Sequence, residues 1–261
     1  MRDGPPGAVE TRVLQALEGV RDPELDESVV ALDFVAGITV EEGPAGARVD
    51  LALRLPTYFC ASNFAYLMVT DAGEAARSVA GVAEARVTLV DHYAAEEINA
   101  GVAAGHGFSR SFPGLAAGEL DELRTAFRRK ALMARQYRLC RDLLDRGAAV
   151  DELAAMTLAD LPPSPEADAY AGRRAELGID AGPAAPLLVD DRGDPIPPRL
   201  ARTHLRRARI QGVSIEGNAG FCRGLLGTRY GLGDASHGCD GRADRRPAAV
   251  PVPVALRDRP G

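Results

Sequence analysis

The 261-residue sequence contains no CxxC pair: its four cysteines, Cys60, Cys140, Cys222 and Cys239, stand far apart. A complete zinc ribbon or ferredoxin-type cluster site therefore cannot be assembled from local spacing. No apolar run approaches the ~18 residues needed to cross a bilayer, because Asp33, Asp50, Arg54 and Asp71 interrupt the most hydrophobic stretch. Residues 1–10 carry Asp3, Pro5 and Pro6 in place of a basic and then apolar leader. A cytoplasmic protein is expected. Lysine is nearly missing too, since Lys130 is the one lysine among 31 basic residues, and it falls in a helical pattern. No phosphate-binding glycine loop with lysine exists, and no nucleophile-elbow pattern accompanies His92, His106 or His204. ATP-driven and hydrolytic chemistry are both disfavoured, and the chain is read as a non-enzyme. With a net charge of -6, no general attraction to nucleic acid or to anionic membranes is expected.

What is present reads as two regions. Val9, Val13, Leu14, Leu17 and Val20 recur at helical spacing and stop at Asp22-Pro23. Phe34–Val40 and Ala47–Leu53 alternate around a glycine- and proline-containing turn, which predicts a hairpin. Ala61–Val79 reads as a helix, Ala85–Val90 as a third strand and Ala94–Ala103 as another helix. The second strand, the helix and the third strand form a parallel crossover. The fold class is α+β (α/β), a small mixed sheet in α-β-β-α-β order with a mainly helical extension.

The expected boundaries are a domain over 1–104, a linker over 105–118, the helical extension over 119–231 and a flexible tail over 232–261. In the extension, Glu119–Arg146 is a long helix, with shorter ones at Val150–Met156, Glu166–Leu177 and Arg199–Arg209. Leu187–Val189 and Val213–Ile215 read as short strands, and Asn218 as the cap of a last helix reaching Tyr230.

Three stretches carry a family pattern: Val20-Arg21-Asp22-Pro23-Glu24-Leu25, Val30-Ala31-Leu32-Asp33-Phe34-Val35 and Leu55-Pro56-Thr57-Tyr58-Phe59-Cys60. In register, they resemble the iron-sulfur cluster assembly domain of SufT-like and PaaD-like maturation proteins, over roughly Val9 to Val90. The sequence departs from that pattern at Asp33, where glycine is common, and at Ala61, where proline is common.

The resemblance implies an accessory factor that assists iron or iron-sulfur cluster assembly in a client metalloenzyme. A component of a multicomponent diiron monooxygenase is one such client, and a homodimer is compatible with it. A metal-free scaffold or chaperone for an apo-oxygenase subunit is the alternative.

Cys60, before a helix N-terminus whose dipole favours thiolate, is the leading candidate ligand for transient iron or a cluster. Its competing role is that of a small buried hydrophobe. Asp22 and Glu24 are candidate oxygen ligands, or else turn and surface residues. Cys222 is a further thiol candidate, set against core packing. Cys140 reads as core, His92 as a residue at a strand end, and His237 and Cys239 as parts of the tail.

Overall fold

The computed structural model describes residues 7–113 and 120–232. The expected flexible tail, with His237 and Cys239, lies outside them apart from its first residue. The described chain divides into two compact units. One gathers residues 7–22, 27–113 and 222–232, the other 23–26 and 120–221.

In the first unit the amphipathic segment forms helix α1 (Ala8–Leu17), which buries Val13 and Leu17. Strands β1 (Val35–Glu41) and β2 (Ala47–Leu53) make the antiparallel hairpin, with Val40 opposite Val49. Helix α2 (Ser62–Ser78) carries the chain over to β3 (Val82–Leu89), which runs parallel to β2 with Leu53 opposite Leu89. Sheet order β1-β2-β3 leaves β2 central, and its Val49, Leu51 and Leu53 are buried. Helix α3 (Ala95–Ala103) follows.

Gly46, which ends the hairpin turn, has φ +126°, and a Cβ there would come within 2.9 Å of the Gly81 carbonyl. Only glycine fits this approach between the turn and the start of β3.

The segment read as a linker begins with packed structure. Helix α4 (Phe108–Ser111) buries Phe108, whose ring meets that of Tyr66 edge-on at 5.6 Å, and the Tyr66 hydroxyl donates to the His106 carbonyl. Phe112 stacks on Phe108 with ring centroids 4.9 Å apart. The glycines around this segment masked two aromatic anchors.

The second unit is helical. It comprises α5 (Leu120–Asp145), α6 (Val150–Ala155), a 3₁₀ turn at Leu158–Asp160, α7 (Pro165–Glu176) and most of α8 (Pro198–Tyr230). Ser164 caps α7 by accepting from the Ala167 N–H, with Pro165 at the first helical position. Leu132, Leu139, Cys140, Leu153, Tyr170, Leu187 and Leu205 make its core.

Three expectations fail here. Val213–Ile215 is helical, because the stretches read as a helix, a strand and a second helix form one 33-residue helix, α8. Asn218 lies inside that helix and caps nothing. Leu187–Val189 makes no strand among the described residues; Val189 forms only an isolated bridge with Pro195. The β-branched residues of 213–215 suggested a strand, but two β-branched residues lower helix propensity too little to end a helix.

Candidate functional site

Strands β2 and β3 are parallel neighbours, so the loops at their carboxyl ends lie side by side, where open α/β sheets commonly form sites. The β2 loop runs from Arg54 to Ala61 and carries Cys60. The β3 loop contains Asp91, His92 and Tyr93.

Main-chain and side-chain bonds tie the two loops together. The Val90 N–H donates to the Leu53 carbonyl at 2.8 Å, and the Tyr93 N–H to the Tyr58 carbonyl at 3.0 Å. His92 Nε2 donates to the Cys60 carbonyl at 2.7 Å, while its Nδ1 accepts the Ala94 N–H at 3.2 Å. These two bonds define the neutral Nε2–H tautomer. Burial lowers the His92 pKa; the bond to the Cys60 carbonyl opposes this, and the Arg229 charge adds to the lowering. His92 therefore stays neutral and fixes the main chain at Cys60.

Cys60 itself is half-buried and free of any disulfide. Its Sγ shares a hydrogen bond with Thr57 Oγ1 at 3.3 Å, and that hydroxyl also accepts the Phe59 N–H at 3.2 Å. The Thr57 hydroxyl, which already accepts the Phe59 N–H, can still direct its own proton at the sulfur. Cys60 lies two residues before the first residue of α2, and Ala61 is the N-cap with φ -60°.

Around the thiol, Tyr58, Phe59 and Tyr93 are 45%, 77% and 48% exposed. Their rings pack in sequence, Tyr58 to Phe59 at 5.1 Å and Phe59 to Tyr93 at 6.1 Å. The Tyr93 hydroxyl meets Ser62 Oγ at 2.5 Å, which anchors this apolar surface to the start of α2.

The end of α8 straps the same region of the first unit. Arg229 donates to the Asp91 carbonyl at 2.8 Å and to the Leu55 carbonyl at 3.3 Å, and pairs with the Asp91 carboxylate at 2.7 Å. The Tyr230 hydroxyl donates to Asp91 Oδ2 at 2.9 Å, and Arg54 lies 5.0 Å from the Tyr230 ring centre. Arg229 and Tyr230 were not singled out from the sequence, since nothing local connects them with Asp91, about 140 positions away.

The other candidates are distributed differently. Asp22 is buried in the first unit, with its N–H donating to the Glu27 carbonyl at 2.9 Å. Glu24 belongs to the second unit, where its carboxylate accepts from Asn218 at 3.3 Å. Cys222 lies half-buried in α8, in the first unit. Cys140 is fully buried, and burial pushes its thiol up to about 12. Among the described residues, no three His, Cys, Asp or Glu side chains come together to hold a metal ion.

The most elaborate charged group in this part of the sequence went unread. Asp26, four residues after Asp22, has φ +54° and belongs to the second unit. Its carboxylate accepts from Arg135 at 2.6 Å and Arg173 at 2.5 Å, with Arg138 3.9 Å away. The available signal was the positive-φ tolerance of Asp in a turn, but its partners lie more than a hundred residues on.

Asp33 has φ +59°. Its position needs the left-handed conformation that glycine adopts freely and Asp tolerates, and its carboxylate pairs with Arg54 at 3.2 Å. That accounts for the departure from glycine.

Residues 10–89 match the family model of iron-sulfur cluster assembly proteins. The match covers the sheet, α2 and the Cys60 loop, and it supports a role in cluster assembly or maturation. No curated protein and no solved structure matches the chain.

A resident cluster held by this chain alone does not fit the side chains described. Protein-bound clusters take about four thiolate or imidazole ligands, and the loop offers one thiol with a hydroxyl beside it. The chemistry within reach is a single, oriented sulfur contact to iron or a cluster as cargo.

Proposed function

We propose that the protein is a non-enzymatic accessory factor that assists iron or iron-sulfur cluster assembly in a client metalloenzyme, with a component of a diiron monooxygenase as the client class. The observation that carries the reading is the Cys60 loop, an oriented and accessible thiol within an exposed aromatic surface, inside the stretch that matches the assembly family. The exposed rings supply apolar area for a partner, and aromatic side chains are enriched at the centres of interfaces. The thiol gives that partner's iron or cluster one ligand, and the client supplies the others. His92 and Thr57 act as positioning residues, the first on the main chain of Cys60 and the second on its sulfur.

A metal-free holding role is the second reading. It is favoured by Ala61, which follows Cys60 where the family pattern commonly has proline.

The test is anaerobic iron and sulfide analysis of the full chain with its client, comparing wild type with Cys60→Ser. Cargo handling predicts that the variant loses most of the metal transferred to the apo-client while still binding it. Equal transfer by both proteins would remove the thiol from the mechanism and leave the holding role. A host deletion strain in which every oxygenase is fully metallated would end both readings.

A further inference from the structure

The second unit contains a pocket of about 410 Å³ that the assembly reading does not use, lined by Arg129 and Lys130 of α5, Asp190 and Asp191 of the α7–α8 loop, and His204 and Arg207 of α8. Ala126 and Met133 add apolar lining. The size suits a small-molecule ligand.

Beneath it, a chain of buried hydrogen bonds fixes one atom's role. The Tyr170 hydroxyl donates to the Leu187 carbonyl at 2.9 Å, so it accepts from Gln136 Nε2 at 3.0 Å. Gln136 Nε2 also donates to the Val189 carbonyl at 2.8 Å. The Gln136 amide is thereby oriented, and its Oε1 can only accept the Nε2–H of His204, at 2.9 Å. His204 is 91% buried, and its Nδ1 makes no hydrogen bond among the described residues. The nearly buried imidazole lines the pocket, and its Nδ1 lone pair has no donor among the described residues. Burial lowers the His204 pKa, Asp190 opposes this and Arg207 adds to it, so the ring remains the neutral acceptor.

The charges around that lone pair have both signs. Asp190 Oδ1 accepts the N–H groups of Arg192 and Asp194, each at 2.9 Å, which leaves Oδ2 available, and Asp191 has no ion pair among the described residues. Arg129 and Arg207 have none there either, while Lys130 rests 4.3 Å from the centre of the Phe127 ring. A simple anion would meet two carboxylates and an imidazole lone pair. A simple amine would meet three cations.

We infer that this pocket binds a small zwitterion of the α-amino acid class, with its ammonium directed to His204 Nδ1 and the Asp190–Asp191 carboxylates and its carboxylate to Arg129, Lys130 and Arg207. The site lies within the second unit and is independent of the Cys60 loop.

The experiment is calorimetric titration of the full chain with each of the common α-amino acids, and with succinate, ethanolamine and inorganic phosphate as single-charge-type controls. At least one amino acid should bind at one site per chain, and the controls should bind more weakly. Arg207 is exposed, so Arg207→Ala should stay folded and weaken binding about tenfold or more through loss of a charge-assisted contact. In long-range proton–nitrogen spectra His204 should show the Nε2–H tautomer, with the Nδ1 resonance shifting when the ligand is added. No binding by any amino acid, equal binding of phosphate or succinate, or an Nδ1–H tautomer in the free protein would each overturn the assignment.

Discussion

In the first unit the large side chains that are almost wholly buried are Phe34, Ile98 and leucines such as Leu17, Leu51, Leu53 and Leu89; in the second the largest are Arg174 and Tyr170. The first unit is held by apolar sheet-on-helix packing and keeps Cys60 half-exposed. The second places Asp26, Arg135, Gln136, Arg173, Arg174 and His204 in its interior. Arg174 donates to the Pro186 carbonyl at 2.8 Å and lies 5.4 Å from the centre of the Tyr170 ring. Apolar packing tolerates substitution gradually, whereas a buried polar network depends on every partner. The two units should therefore respond differently to single changes.

The largest difference should come from Asp26→Asn. Asparagine accepts the positive φ as aspartate does, so the change isolates the charge. It leaves Arg135, under a tenth exposed, with no counter-ion among the described residues, and Arg173, equally buried, with the exposed Glu176 alone. Breaking such a buried pair costs about 3–5 kcal/mol. Chemical denaturation should show that loss with the far-ultraviolet signal of the native state retained. A change below about 1 kcal/mol would mean that water reaches these guanidinium groups and the network is not a structural centre.

A smaller and pH-dependent effect separates the two buried imidazoles. The folded-state pKa values of His92 and His204 are both lowered, mainly by burial, from the ordinary 6.5. The unfolded chain therefore binds protons more readily than the folded one. The stability each neutral ring contributes is complete above about pH 6.5 and is lost as pH falls from there through the folded-state value. Each ring adds at most about 1.4 kcal/mol per pH unit in that window. His92→Gln should flatten the acid side of the stability profile by one such contribution and leave that of His204. A profile equally steep in wild type and variant would show that His92 is already protonated in the fold.

The same contrast explains what the sequence made legible. Period-two alternation and helical spacing located β2 at its observed ends and α2 within one residue at each end, because a sheet buried on one side imposes those patterns locally. The Cys60 loop was legible for the same reason, as the junction between two well-marked elements. Asp26 was not, since its meaning depends on Arg135 and Arg173, and a chain with 31 basic residues gives no cue as to which arginines are buried. The anchors Phe108 and Phe112 were hidden by neighbouring glycines, and the long α8 by residues such as Val213 and Ile215 that fit a strand equally well alone.

The smallest effect tests the other departure from the family pattern, in the Cys60 loop of the first unit. Ala61, at the N-cap of α2, has φ -60° and ψ 126°, and its N–H makes no hydrogen bond among the described residues. Proline fixes φ near -65° and lacks that N–H, so the native conformation already suits it. Ala61→Pro should raise stability by about 0.4–1 kcal/mol, chiefly by restricting the unfolded chain. Proline also confines the preceding residue, Cys60, to extended conformations. If Cys60 already has one, the bond from His92 to its carbonyl survives and the variant melts slightly higher with unchanged metal transfer. A lower melting temperature would show that the loop relies on a Cys60 conformation that proline forbids, and that alanine is present to permit it.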